Sequence, residues 1–365
     1  MRKSTLVLLV LLAAVAVVRL WVLRPPSTTQ TDEIDTRSLY PAVSRIIQEH
    51  YVDPVDPAKA WPGAYAAMLK RLDNFGAYIS PEYVTSARAW RQGKGFWAGV
   101  WISPTERGFV VSRILPESPA ERSSLRVGDF VESVDGNGLA GRTWGAARLM
   151  LYAQGEREFQ LGVNRVDLQR PLQITISAIA LPPDVDINRL SDRTTHVDLY
   201  RLTPAAVRAL SEKFKSLPRH NWIIDLRNYL HGDLVSCLSV ADLLLPPSTR
   251  LDLRTRSGNQ RISTGRPGIV PPGMTVLTGP ATIMYAEILA RLMQAAGAPL
   301  VGEKTGGFAA HLRRVSLPDG GELVLVDGHF YWDGKNVQHE PLIPDERVVE
   351  KEAALARARA ILRDG

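Results

Sequence analysis

Few residues in this chain have types and spacing that could do chemistry. The single cysteine, Cys237, sits in the apolar, helix-like run Leu234-Val235-Ser236-Cys237-Leu238. It reads as a buried free thiol, the alternative being a nucleophilic thiol paired with His231. One cysteine makes no internal disulfide, and no CxxC or Cys/His spacing suggests zinc. The seven histidines are scattered, with no HxH or HxxxH pair, so no metal is expected. No cofactor is expected either. His231 and His311, with Glu287 and Asp225 as possible partners, would need a serine in reach to form a hydrolytic set. Ser236 and Ser316 have no obvious base, and Lys304 reads as a solvated surface lysine.

The elements that must position such residues fall into a clear order. The chain has 365 residues, enough for two or three domains, with 45% hydrophobic and 22% charged residues. A net charge of +6 with no dense Lys/Arg run excludes nucleic acid as the expected partner. A weakly basic surface suits an anionic membrane. Arg2 and Lys3 precede an apolar run from Thr5 to Leu23, broken only by Arg19. That length approaches the hydrocarbon thickness of a bilayer, and Arg19 can snorkel to the interface. Residues 1–24 are therefore expected to be an uncleaved transmembrane anchor, the alternative being a cleaved signal peptide. Either way, the expected location is the cell membrane, single-pass, with the main domains extracytoplasmic. Residues 25–36 read as a polar linker.

Residues 37–92 read as a helical arm, with Leu39, Val43, Ile46 and Ile47 at helical spacing. Pro54, Pro57 and Pro62 separate its pieces. Over 93–182 short strands dominate: Phe109–Val111, Phe130–Val134, Phe159–Val163 and Leu172–Ile176, with one helical stretch from Thr143 to Tyr152. From 183 to 365 strands and helices alternate. Strands are expected at Trp222–Leu226, Met274–Leu277 and Pro299–Gly302, and helices at Leu234–Leu245, Ala286–Ala296 and Glu350–Leu362. The fold class is multi-domain α/β.

Several motifs in this order resemble the carboxyl-terminal processing (tail-specific) peptidases of family S41. They are Leu72-Asp73-Asn74-Phe75-Gly76-Ala77-Tyr78-Ile79, Ser118-Pro119-Ala120 with Leu125-Arg126-Val127-Gly128-Asp129, and Asp225-Leu226-Arg227-Asn228. Ala286-Glu287-Ile288, Val301-Gly302-Glu303-Lys304-Thr305 and Pro344-Asp345 follow. The resemblance implies a PDZ domain at 93–182 and a ClpP/crotonase-like peptidase core at 183–365. A PDZ domain adds a peptide tail to a sheet edge and receives its carboxylate on a turn of amides. By resemblance that turn is Gly99-Val100-Trp101-Ile102, with Trp101 where the family usually has glycine.

The family's hydrolysis is thought to use a serine, a neutral lysine as base and an orienting glutamine. The serine position falls on Met284, the lysine on Phe308 and the glutamine on Leu312. A thioether forms no acyl-enzyme, a phenyl ring accepts no proton and leucine orients nothing. The family's Asn-Pro-Gly-Gly turn is Tyr229-Leu230-His231-Gly232 here. The expectation is a non-catalytic, membrane-anchored protein that binds peptide or protein C-termini or modulates an active related peptidase. The alternatives are a serine peptidase with a relocated site and a structural module with a blocked groove.

Overall fold

Buried runs, rather than alternating ones, mark the central strands. Asn221–Asp225 and Met274–Thr278 are buried at every residue but the first. Strands covered on both faces lose the alternation of a half-exposed sheet. In the computed structural model, which describes residues 36–168, 170–246, 250–264 and 270–364, they lie at the centre of a six-stranded sheet. Its order is Val185–Arg189, Thr194–Leu199, Asn221–Asp225, Met274–Thr278, Leu300–Gly302, Glu346–Arg347; only the first strand is antiparallel to its neighbour.

Successive side chains point to opposite faces of a strand. Ile223, Leu277 and Val301 therefore pack beneath Ala354 and Ala358 of the C-terminal helix Lys351–Asp364. Trp222, Ile224, Val276 and Leu300 join the opposite core with Phe214, Cys237, Val240, Leu289 and Met293. That face carries the helices Pro204–Ser216, Leu234–Leu244 and Met284–Ala295. The last of these starts two residues earlier than the sequence suggests. Asp233 caps the second, accepting a hydrogen bond from the Ser236 amide at 2.7 Å.

The β-rich module orders its strands Val100–Thr105, Gly108–Ile114, Phe130–Val134, Glu158–Asn164, Leu172–Ser177, all antiparallel. The helical stretch expected from 143 to 152 is shorter, Trp144–Leu149, capped by Thr143. Its remainder becomes the strand Tyr152–Ala153, which pairs with Phe96–Trp97; that strand also pairs with Ile179–Ala180. This small sheet ties the entry and exit of the module together.

The chain divides into two compact units at Ala60/Trp61. In the first, the helix Thr36–His50 exposes Leu39, Val43, Ile46 and Ile47. The expectation of helix throughout 37–92 needs correction. Pro62 does not separate two pieces but lies inside the helix Pro57–Leu72. Ala77–Ile79 is a strand, paired antiparallel with Glu322–Val324. Three residues are too few to show a period, and the pairing partner lies far along the chain. The same antiparallel sheet contains Arg250–Thr255, Gly258–Ser263, Ala310–Ser316 and the long strand Glu322–Trp332. Among the described residues no helix is long and apolar enough to cross a membrane. The expected anchor, 1–24, and nearly all of the expected linker lie outside the described residues.

Candidate functional site

Open parallel sheets place their sites beyond the carboxyl ends of the strands. Three such ends converge here. Asn221–Asp225 runs into the turn 226–233, Met274–Thr278 into 279–283, and Leu300–Gly302 into 303–309. Thr282 joins all three turns. Its hydroxyl donates to Leu226 O at 2.9 Å and accepts from the Gly279 amide at 3.0 Å. Its carbonyl accepts from the Gly306 amide at 3.0 Å. Asp225 is anchored by Arg227, whose guanidinium donates to both carboxylate oxygens. His196 and Asp198 complete this buried cluster. Burial and the neighbouring Asp225 charge push Asp198 up to about 6. Burial opposes ionisation of Asp225 too, but the Arg227 charge outweighs it and keeps that carboxyl low.

Met284 opens the helix after the second turn. Its φ is +54°, left-handed backbone that a non-glycine residue rarely adopts. The side chain thus projects at a sharp strand-to-helix elbow, the geometry used to present a nucleophile. Its amide is engaged, donating to Phe308 O at 2.8 Å. The Phe308 amide in turn donates to Glu287 Oε2 at 2.8 Å, and the Gly307 amide to Oε1 at 3.1 Å. The Thr305 hydroxyl donates to the same oxygen. Burial drives the Glu287 carboxyl up to about 7, against the lowering effect of these three donors.

Met284 and Leu312 share the wall of one cavity of about 70 Å³. Phe75, Ala77, Ile79, Trp144 and Val324 supply more apolar wall; Arg91, Arg148, Arg314, Tyr229 and His231 supply the polar part. Phe308 is not in the wall. Its ring packs against two wall residues, with centroids 5.4 Å from Phe75 and 5.8 Å from Trp144. Burial, then the charges of Arg314, Arg148 and Arg91, hold His231 well below its ordinary value, so it is a neutral imidazole.

The other sequence candidates do not assemble. The Cys237 thiol is fully buried and donates to Tyr285 O, and burial raises its pKa far above the ordinary value. His311 pairs with Asp327 at 2.5 Å. Ser236 donates to Asp233 and Ser316 is exposed, as is Lys304. Among the described residues no serine, threonine, cysteine or lysine lines the cavity.

The turn expected to receive a carboxylate lies against the α/β core. Val100 and Ile102 are buried in the module, and Gly99 has φ +73°. The Trp101 ring stands edge-on to Trp97 at 4.7 Å, and its indole N–H donates to Tyr229 O at 2.9 Å. Beside the edge strand Val100–Thr105, the Trp144 indole donates to Ile102 O at 2.7 Å. The space left there is about 10 Å³, room for about one water. The arginines carry no motif, so sequence reading passes over them, and Tyr229 enters it only as part of an altered turn. Only the chain path brings them together.

The fold and this elbow define a peptidase-like α/β protein. Residues 192–348 match the model of peptidase family S41. The chain is 22% identical over 313 residues to a carboxy-terminal-processing protease of Bartonella bacilliformis, covering 82% of this chain and 72% of that one. It is 25% identical over 321 residues to a carboxyl-terminal-processing protease of Synechocystis, covering 84% and 75%. The structure of a photosystem II D1 C-terminal processing protease superposes with a TM-score of 0.64 at 18% identity, covering 88% of this chain and 97% of that one. Part of the α/β core thus matches peptidase family S41, and the chain is similar over most of its length to carboxy-terminal-processing proteases.

Proposed function

We propose that this protein is a non-catalytic S41 relative that holds the C-termini of peptides or proteins outside the cytoplasm. In this reading residues 1–24 tether it to the membrane, 93–182 form a PDZ domain, and 183–365 form the peptidase-like core. One observation carries the proposal: the cavity at the elbow holds a thioether and an isobutyl group, with no serine, threonine, cysteine or lysine among the described residues of its wall. Acyl transfer needs a nucleophile and a base within hydrogen-bond reach of each other. The Met284 amide, bonded to Phe308 O, is also not free to stabilise an oxyanion. Loss of one member of such a set removes most of the rate, since its members act as a unit.

The capped edge at Ile102 and the buried Trp101 favour a second reading, a structural module with a blocked groove. The test for catalysis is a cleavage assay on the full-length chain with an unstructured protein bearing an apolar free C-terminus. A Met284→Ala, Phe308→Ala double variant is the control. The expected result is no cleavage above that control. Cleavage by the wild type that a nearby substitution abolishes would reveal a relocated nucleophile and overturn the proposal.

A further inference from the structure

The cavity at Met284 has a charge arrangement that apolar replacement alone does not explain. Three guanidiniums, those of Arg91, Arg148 and Arg314, contribute to its wall. Glu322 grips Arg91 through both oxygens, at 2.9 and 3.0 Å. Arg314 lies 4.0 Å from that same, already occupied carboxylate. Among the described residues no carboxylate pairs with Arg148. It donates to Leu230 O at 2.7 Å, and its guanidinium stands 4.8 Å from the Trp90 ring and 4.4 Å from the Trp144 ring. That stacking helps to fix its position, and it also hydrogen-bonds the Tyr152 side chain; its five N–H donors outnumber these two acceptors.

A second, independent feature points the same way. Tyr229 is 1% exposed and lines the cavity, and its hydroxyl has no hydrogen-bond partner among the described residues. The hydroxyl lies against Gly232, another wall residue, where an added Cβ would come within 2.6 Å of it. A buried hydroxyl without a partner is costly and rare in native proteins. Here it is a donor in the same wall as Arg148 and Arg314, which among the described residues have between them only the Glu322 carboxylate, already held by Arg91. The rest of the wall is apolar apart from His231 and Tyr285. The volume, about 70 Å³, is several times what one water requires, about 10–15 Å³.

We infer that this cavity receives the last residue of a peptide tail, with its α-carboxylate on Arg148, Arg314 and the Tyr229 hydroxyl and its apolar side chain against Phe75, Met284 and Leu312. The inference rests on the proposed reading of the chain as a tail binder and says where the tail's end is seated. The former catalytic elbow thereby becomes a binding pocket. Replacement of polar catalytic groups by apolar ones enlarges the surface an aliphatic side chain can cover. Beside the module's edge strand, where Trp144 donates to Ile102 O, the space of about 10 Å³ is too small for a terminal residue.

The test compares two labelled, unstructured peptides of one sequence ending in Ala-Ala-Val, one with a free α-carboxylate and one amidated. Binding to the purified full-length protein is read by fluorescence anisotropy. Tyr229→Phe keeps the ring and removes only the unpartnered hydroxyl, so its melting temperature should hold or rise. Arg314→Met removes one charge from a side chain that is 35% exposed. Amidation, Tyr229→Phe and Arg314→Met should each weaken binding about tenfold, the effect of one charge-assisted hydrogen bond. If the free acid binds the wild type but both variants bind it equally well, the tail is held elsewhere; the seat is overturned while the tail-binding reading stands. If neither peptide binds the wild type, both fail.

Discussion

At the residue scale, buried polar groups hold the turns of the site together. Glu287 is the clearest case. Its carboxylate gathers the Thr305 hydroxyl and the Gly307 and Phe308 amides, and so fixes the loop whose carbonyl engages the Met284 amide. Burial raises it from 4.5 to about 7. Between those values the folded protein keeps a proton that the unfolded chain releases. Stability from this group is therefore full below about pH 4.5 and is lost as pH rises toward 7, by on the order of 3 kcal/mol. Asp198, raised to about 6, works in the same direction. His231, held low in the fold, pulls the other way over the same rise, so the Glu287 part of the slope, a urea midpoint falling from pH 5 to pH 7.5, is read against a variant. Glu287→Gln should flatten that slope while lowering stability at both values, because its amide N–H₂ faces donors. An unchanged slope in the variant would show that Glu287 does not titrate in this window.

At the scale of elements, the β-rich module is docked rather than free. Trp101 packs against Trp97 of its own module and against Leu230 and Ala281 of the core, and its N–H ends on Tyr229 O. Trp101→Phe should cost about 1 kcal/mol, the worth of the hydrogen bond. Trp101→Ala should cost about 3–5 kcal/mol, because a cavity opens at the junction. Hydrogen exchange gives the sharper readout: amides at 96–97 and 229–232 should lose protection together in the alanine variant. Protection lost only within 96–105 would mean that the two elements are not coupled.

At the scale of the whole molecule, the proposed tether sets where the rest works. The full-length protein should sediment with membranes through high-salt and alkaline washes and be released by detergent. A chain beginning at Thr36 should stay in the supernatant. Release of the full-length protein by salt alone would replace the anchor with electrostatic attachment of its basic surface.

The core strands, most helices and the family resemblance were legible in the sequence, because they depend on local pattern. Buried parallel strands read as continuous apolar runs, as in Trp222-Ile223-Ile224, and the landmark motifs sit on the turns that follow them. The positions of Met284, Phe308 and Leu312 could likewise be named from motif spacing. The strand Ala77–Ile79 and the hairpin from Arg250 to Ser263 were not legible, since their patterns are short and their stability comes from pairing with Glu322–Trp332. Nor could sequence alone show that Arg91, Arg148 and Arg314, from three separate stretches, meet around one cavity beside the Tyr229 hydroxyl. Side-chain type and local period are written along the chain, whereas charge balance, burial and an unmet hydrogen bond exist only between segments that the fold brings into contact.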